Sequence, residues 1–173
     1  MHIFTPQINE TVLINNLNIN LYKHFLLISG VPPELISFLM ESKPVYDIFF
    51  NPDLKAVVMN WYGYSTSRQL KEGSEKMLAI LVEHKANKVL ANLKDMILIS
   101  TEDQNWIEHS FIPRSSEKGF KAIAIIKPTS YFNKVAIENI ASKMENRDLV
   151  QIKIFDSEKE AIAWLNEVEI EKT

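Results

Sequence analysis

The sequence predicts an α/β domain over residues 46–168, with a mostly parallel sheet, an antiparallel hairpin at its edge and the element order ββαβαβαβα. Three observations predict it. Short β-branched and aromatic runs alternate with segments whose apolar residues recur at helical spacing, the pattern of strands joined by helical crossovers. Three of the helical segments open on a Ser or Thr followed three residues later by Gln, Asp or Glu, the signature of a capped helix start. Ala122–Ile126 is an unbroken apolar run of strand length, as expected of a strand covered on both faces and central in its sheet.

Taken in order, Tyr46–Phe50 and Ala56–Trp61 flank Asn51-Pro52-Asp53. Proline presets φ for the second turn position, and aromatic and β-branched flanks favour extended backbone, so this is a hairpin. Thr66 with Gln69 then opens a helix that runs to about His84. Its Leu70, Met77, Leu78 and Leu81 share one face, opposite Lys71, Glu72 and Glu75. His84 falls at the end of that helix, where a partly cationic ring interacts well with the dipole. Lys88–Leu93 is a short apolar strand. Ser100 with Asp103 caps the next helix, which carries Trp106 and Ile107 and is expected to end at Pro113. After the turn at Gly119 come the strand Ala122–Ile126, a helix over Ser130–Met144 that buries Phe132, Ala136, Ile140 and Met144, and an alternating strand, Val150–Phe155. Ser157 and Glu160 cap a last helix whose Ala161, Trp164, Leu165 and Val168 lie on one face.

Composition changes near residue 45. The first 45 residues carry five charged side chains (Glu10, Lys23, Glu34, Glu41, Lys43), while 24% of the whole chain is charged. This leader is rich in asparagine and lacks apolar periodicity. Its best-supported elements are weak strands at Val12–Ile14 and Phe25–Ile28 and a short helix at Pro33–Met40. Two readings stand side by side: residues 1–45 as a genuine N-terminal extension packed on the domain, and residues 1–39 as upstream sequence read in frame ahead of a natural start at Met40. Residues 169–173 read as a polar tail.

A net charge of -3 and acids interspersed among the basic residues argue against nucleic acid, whose phosphates require a concentrated positive surface. The absence of cysteine excludes disulfides, thiolate nucleophiles and cysteine-ligated zinc, and fits a cytoplasmic location. Phe25–Ile28, the most apolar early segment, is far shorter than the roughly 20 residues of a membrane-spanning helix.

The element order, together with one segment, resembles the STAS fold typified by the SpoIIAA anti-sigma-factor antagonists. The segment is Lys88-Val-Leu-Ala-Asn-Leu-Lys-Asp-Met-Ile-Leu-Ile-Ser-Thr-Glu-Asp103. In that family an apolar strand, an Asn-Leu or Asp-Leu pair and a short acidic loop lead to an Asp-Ser-Ser-Gly tetrad at the next helix start. Here Asn92-Leu93 and Asp95 match, and Ser100-Thr101-Glu102-Asp103 occupies the tetrad. The resemblance places the family's phosphoacceptor on Glu102, which accepts no phosphate, so it implies a lost phosphorylation switch, with Thr101 as the substitute acceptor to consider. The plain alternative for Ser100, Thr101 and Glu102 is helix capping and a favourable charge at the helix dipole. Trp61-Tyr62-Gly63 and Trp164-Leu165 resemble the divergent SpoIIAA-like group, which lacks the tetrad and is often related to lipid-carrying domains.

No residue pattern for catalysis emerges. His2, His24, His84 and His109 are scattered and form no metal-ligand spacing, the four glycines make no phosphate cradle, and no serine sits in a nucleophile elbow. No cofactor, metal or enzyme activity is therefore expected. The one candidate pocket joins Trp61, Tyr62 and Tyr64 at a strand-to-helix junction with Trp106 and Arg114, where the arginine would hold an anion. Aromatic residues near strand ends also serve as core. The expected function is a non-catalytic STAS-like interaction or regulatory module that binds a protein partner, a second copy of the chain included. The alternative is a binder of a small apolar or anionic, lipid-like ligand.

Overall fold

The structure, a computed structural model, describes Gly30, Pro32 and residues 44–145 and 149–170. The chain divides into two units, Met1–Lys43 and Pro44–Thr173. The strands expected at Val12–Ile14 and Phe25–Ile28, the helix at Pro33–Met40 and the end of the polar tail lie outside the described residues.

Strands β1 (Tyr46–Asn51) and β2 (Ala56–Gly63) pair antiparallel as the hairpin pattern requires. The Asn51 side chain turns the chain by accepting from the backbone N–H groups of Asp53 and Leu54 at 3.0 and 3.1 Å. Helix α1 (Ser67–Glu83) starts on the complete Thr66/Gln69 capping box. His84 stands at its C-cap, with its ring stacked on Phe50 at a centroid separation of 4.1 Å. Strand β3 (Lys88–Met96) runs three residues past Leu93, so Asp95, expected in a loop, lies in the ladder. The cause is β2, which continues past a bulge between Asn60 and Tyr62 and pairs Tyr62 with Asp95 and Gly63 with Met96.

The next helix departs furthest from expectation. Helix α2 (Thr101–Trp106) widens into a π-helical turn over Ile107–Phe111 and resumes as α3 (Ile112–Glu117). Pro113 does not end it. Proline lacks an N–H and crowds the carbonyl four residues back, but the π turn shifts the bonding pattern so that the Ile112 N–H reaches Ile107 O. Pro113 then sits in the first turn of the resumed helix, where no donor is missed. Strand β4 (Ala122–Ile126), helix α4 (Tyr131–Glu145), strand β5 (Gln151–Phe155) and helix α5 (Glu158–Glu167) complete the domain.

The sheet order is β1-β2-β3-β4-β5, with all pairs after the first parallel. β3 is therefore the middle strand, and β4 lies beside it, covered on both faces. Strands added in one direction through right-handed crossovers lay their helices on one side. Accordingly α1, the π turn, α3 and α4 share the larger core with Val57, Met59, Trp61, Val89, Ala91 and Ile125. Helix α5 has no following strand and covers the opposite face, packing Ala161 and Leu165 on Val58, Leu90, Ala124 and Ile126. Lys88 at the start of β3 donates to Leu165 O at 2.6 Å, satisfying a carbonyl near the end of α5.

Trp61 is buried against the backbone of α1: a Cβ added at Gly73 would stand 2.6 Å from its indole ring. Glu108 in the π turn is 1% exposed and accepts Lys143 Nζ from α4 on both oxygens, at 2.9 and 3.0 Å, which ties the turn to that helix. On α4 the buried positions are Asn133, Ala136, Ile137, Ile140 and Met144, whereas Phe132, expected inside, is 74% exposed. Asn133 takes the inner position of the first turn because its amide donates to Met96 O at 3.2 Å, at the end of β3.

Candidate functional site

Because β2 to β5 run parallel, all four end along one edge of the sheet, which is where open α/β sheets present ligand-binding crevices. Three connections are fastened together there. Gly63, at φ 60°, ends β2 and accepts the Ile97 N–H at 2.9 Å. Thr129, on the way into α4, donates its N–H and hydroxyl to Lys94 O at 3.1 and 2.9 Å. The Asn133 amide adds the third tie, to Met96 O. Onto this edge the chain puts Tyr62, Tyr64, Ile97, Leu98, Tyr131, Phe132 and Val135, seven of the nine exposed large hydrophobic residues among those described; Phe49 and Val82 are the others. Tyr64 is 62% and Tyr131 72% exposed, and the Tyr131 and Phe132 rings meet edge to face at 5.8 Å. Such clustering, rather than single exposed apolar residues, marks an interaction surface.

The charged residues of this edge are of both signs: Lys94, Lys127 and Lys134 with Asp95, Glu102 and Asp156, of which Lys127 pairs with Asp156. Beneath the edge the Ser65 hydroxyl and the Asn133 Oδ1 are buried with no hydrogen-bond partner among the described residues.

The Ser100-to-Asp103 segment lies at the same edge, where β3 passes into α2. Thr101 and the Glu102 side chain are exposed, and Glu102 stands 3.7 Å from Lys71. Ser100 caps α2 by accepting the Asp103 N–H at 3.1 Å. Only half of the expected capping box forms. The Asp103 carboxylate, 4% exposed, accepts the hydroxyls of Ser100 at 2.7 Å and of Ser67 at 2.5 Å, so it fastens the starts of α1 and α2 together. Asp103→Ala removes both charge-assisted bonds and is expected to cost about 2 kcal/mol in urea unfolding. A loss below about 0.5 kcal/mol would show that the bonds contribute nothing net.

Of the five residues read as one pocket, Trp61 and Trp106 belong to the larger core, Arg114 stands over the Phe111 ring on which Trp106 stacks, and Tyr62 and Tyr64 are exposed at the end of β2. Neighbours on a strand project to opposite faces, so Trp61 enters the larger core while Tyr62 points to the other side of the sheet. Tyr64 stands out on the carboxyl edge. Trp106 is half-buried, stacked on Phe111 at 5.2 Å with Lys71 Nζ over its ring at 5.8 Å. The Arg114 guanidinium is bound by both oxygens of Glu75, one at 3.0 Å, and is thereby occupied rather than open to an anion. That bond holds the Glu75 carboxyl below its usual 4.5 and raises Arg114. Among the described residues no three His, Asp or Glu side chains gather where a metal ion would sit, and no helix is long and apolar enough to cross a membrane.

No protein-family model and no curated protein matches the chain. A solved structure that it resembles is an uncharacterized DUF3478-family protein from Shewanella loihica PV-4. The two are 17% identical, with a TM-score of 0.50 over 69% of this chain and 91% of the other, and the Shewanella protein is described as SpoIIAA-like. The chain has a SpoIIAA-like fold. Within that fold, the segment that carried the resemblance, Lys88–Asp103, occupies the middle strand and the helix start beside the apolar edge. Sequence reading missed Ile97, Leu98, Tyr131, Phe132 and Val135 at this edge. The apolar pair Ile97-Leu98, standing past its strand and before the buried Ile99 and the Ser100 cap, was the available signal, because exposed connections are usually polar.

Proposed function

We propose that this SpoIIAA-like domain is a non-catalytic interaction module that docks a protein partner on the carboxyl edge of its sheet. The observation that carries the reading is the gathering of seven exposed large hydrophobic residues there. Aromatic anchors within a polar rim are what protein interfaces use. The mixed signs of Lys94, Lys127, Lys134, Asp95, Glu102 and Asp156 fit a protein better than an anionic membrane or a phosphate backbone, which favour a single positive field. Glu102 supplies a constant negative charge at the helix start, so docking on this edge is not gated by phosphate at that position.

The test compares co-purification from the native host with the wild-type chain, with Phe132→Ser, and with Val82→Ser, an exposed apolar control away from the edge. A partner recovered with wild type and the control is purified and its affinity measured. Phe132→Ser is expected to weaken it at least about 10-fold. Sedimentation of the isolated chain tests a second copy as that partner by the same criterion. Equal affinity for wild type and Phe132→Ser, or no association of any kind, would overturn the reading.

A further inference from the structure

We infer that the larger core holds a binding site for one small, uncharged apolar molecule, a site separate from the docking edge. Between the sheet and helices α1 and α4 lies a cavity of about 110 Å³. Protein interiors pack like organic crystals, and voids much larger than a water molecule are few. Water is a poor occupant of this one. The Ser74 hydroxyl and the Trp61 indole N–H are the only polar side-chain groups that its lining residues carry, whereas a buried water typically makes about three hydrogen bonds. Dry apolar cavities of about 150 Å³ take up benzene, so this volume sets the ligand at about that size or slightly smaller.

Two features separate the cavity from an ordinary packing fault. Phe111 lines it from the π-helical turn, a rare local geometry that is frequent at functional sites. Met59, Met77 and Met96 line it from three different elements, and methionine adapts its unbranched, polarizable chain to the shape of an occupant. The chemistry that fits is a compact hydrocarbon skeleton, aromatic or branched aliphatic, with at most one group to meet the Ser74 hydroxyl. A carboxylate or phosphate has no cationic partner among the lining residues.

The test titrates benzene into the full chain labelled at the methionine methyl groups and follows each methyl resonance. Saturable shifts are expected at Met59, Met77 and Met96, with Met144, which is buried outside the lining, unmoved, and with a rise in Tm at saturation. Ala91→Leu puts an isobutyl group where a methyl lines the cavity and is expected to weaken binding at least about 10-fold. Absence of saturable shifts in the wild-type chain, or shifts confined to Met144, overturns the inference whether or not the variant folds. Phe132→Ser is expected to leave the titration unchanged, so failure of the docking reading and failure of this one are distinguishable.

Discussion

Gly73→Ala is expected to destabilise the domain by about 2 kcal/mol, the reverse of what the change does in an ordinary helix. Alanine in a helix interior is favoured over glycine by about 1 kcal/mol. Gly73 lies in mid-helix in α1, and a Cβ there would stand 2.6 and 2.8 Å from two indole carbons of Trp61 and 3.1 Å from the Tyr46 ring. The indole has nowhere convenient to go: Trp61 is 4% exposed and its ring is held by Tyr46 at 5.0 Å. Overpacking of a close-packed core costs about 1–3 kcal/mol, and rigid rings place this site at the upper end, so the clash outweighs the propensity gain. Urea unfolding checks it. In a Trp61→Leu background both indole contacts are gone and only the 3.1 Å approach to the Tyr46 ring remains, so the same Gly73→Ala change is expected to lose most of its cost. Retention of the destabilisation in that background would assign it to something other than the indole.

Lys143→Met carries the second large effect, an expected loss of about 2 kcal/mol. The Lys143 side chain is 56% exposed, and an exposed ion pair alone contributes little. Its partner makes the difference. Glu108 is almost wholly buried in the π turn, and without Lys143 its carboxylate keeps its burial while losing the cation that meets both its oxygens, a larger loss than that of an exposed pair. The exposure of the lysine keeps the figure modest. A double variant isolates the cause. Glu108→Met with Lys143→Met removes the buried charge together with its partner and is expected to be more stable than Lys143→Met alone. If the double variant is the less stable of the two, the buried charge is not the cause.

Both effects arise at contacts between different elements, consecutive ones for Gly73 and Trp61 and ones 35 residues apart for Lys143 and Glu108, beyond the reach of local pattern. The Thr66/Gln69, Ser100 and Ser157 caps are legible because a cap is closed within four residues, and all three form. The parallel sheet with its antiparallel edge is legible because strand and helix periods differ and the crossovers have one hand. The candidate site was legible only in part. The sequence pointed to the connection after β2 and to the helix start at Ser100, which share the carboxyl edge, but it grouped Trp61 with Tyr62 although the pleat sends them to opposite faces.

What the sequence by itself determined is everything set by local periodicity and short-range hydrogen bonding: the order of elements, the helix starts, the apolar run of β4 and the segment that resembles SpoIIAA. Tertiary structure decided the rest through competition for single positions. Asn133 displaced Phe132 from the first buried turn of α4 because a strand-end carbonyl at Met96 offered its amide a bond. Asp103 completed a bond to Ser67 rather than its own capping box because α1 brought that hydroxyl within 2.5 Å. β3 lengthened because β2 ran on beside it, and Pro113 stayed in its helix because a π turn stood before it. In each case a partner from another part of the chain, a carbonyl, a hydroxyl, a neighbouring strand or a shifted helical bond, settled which of two local conformations prevailed.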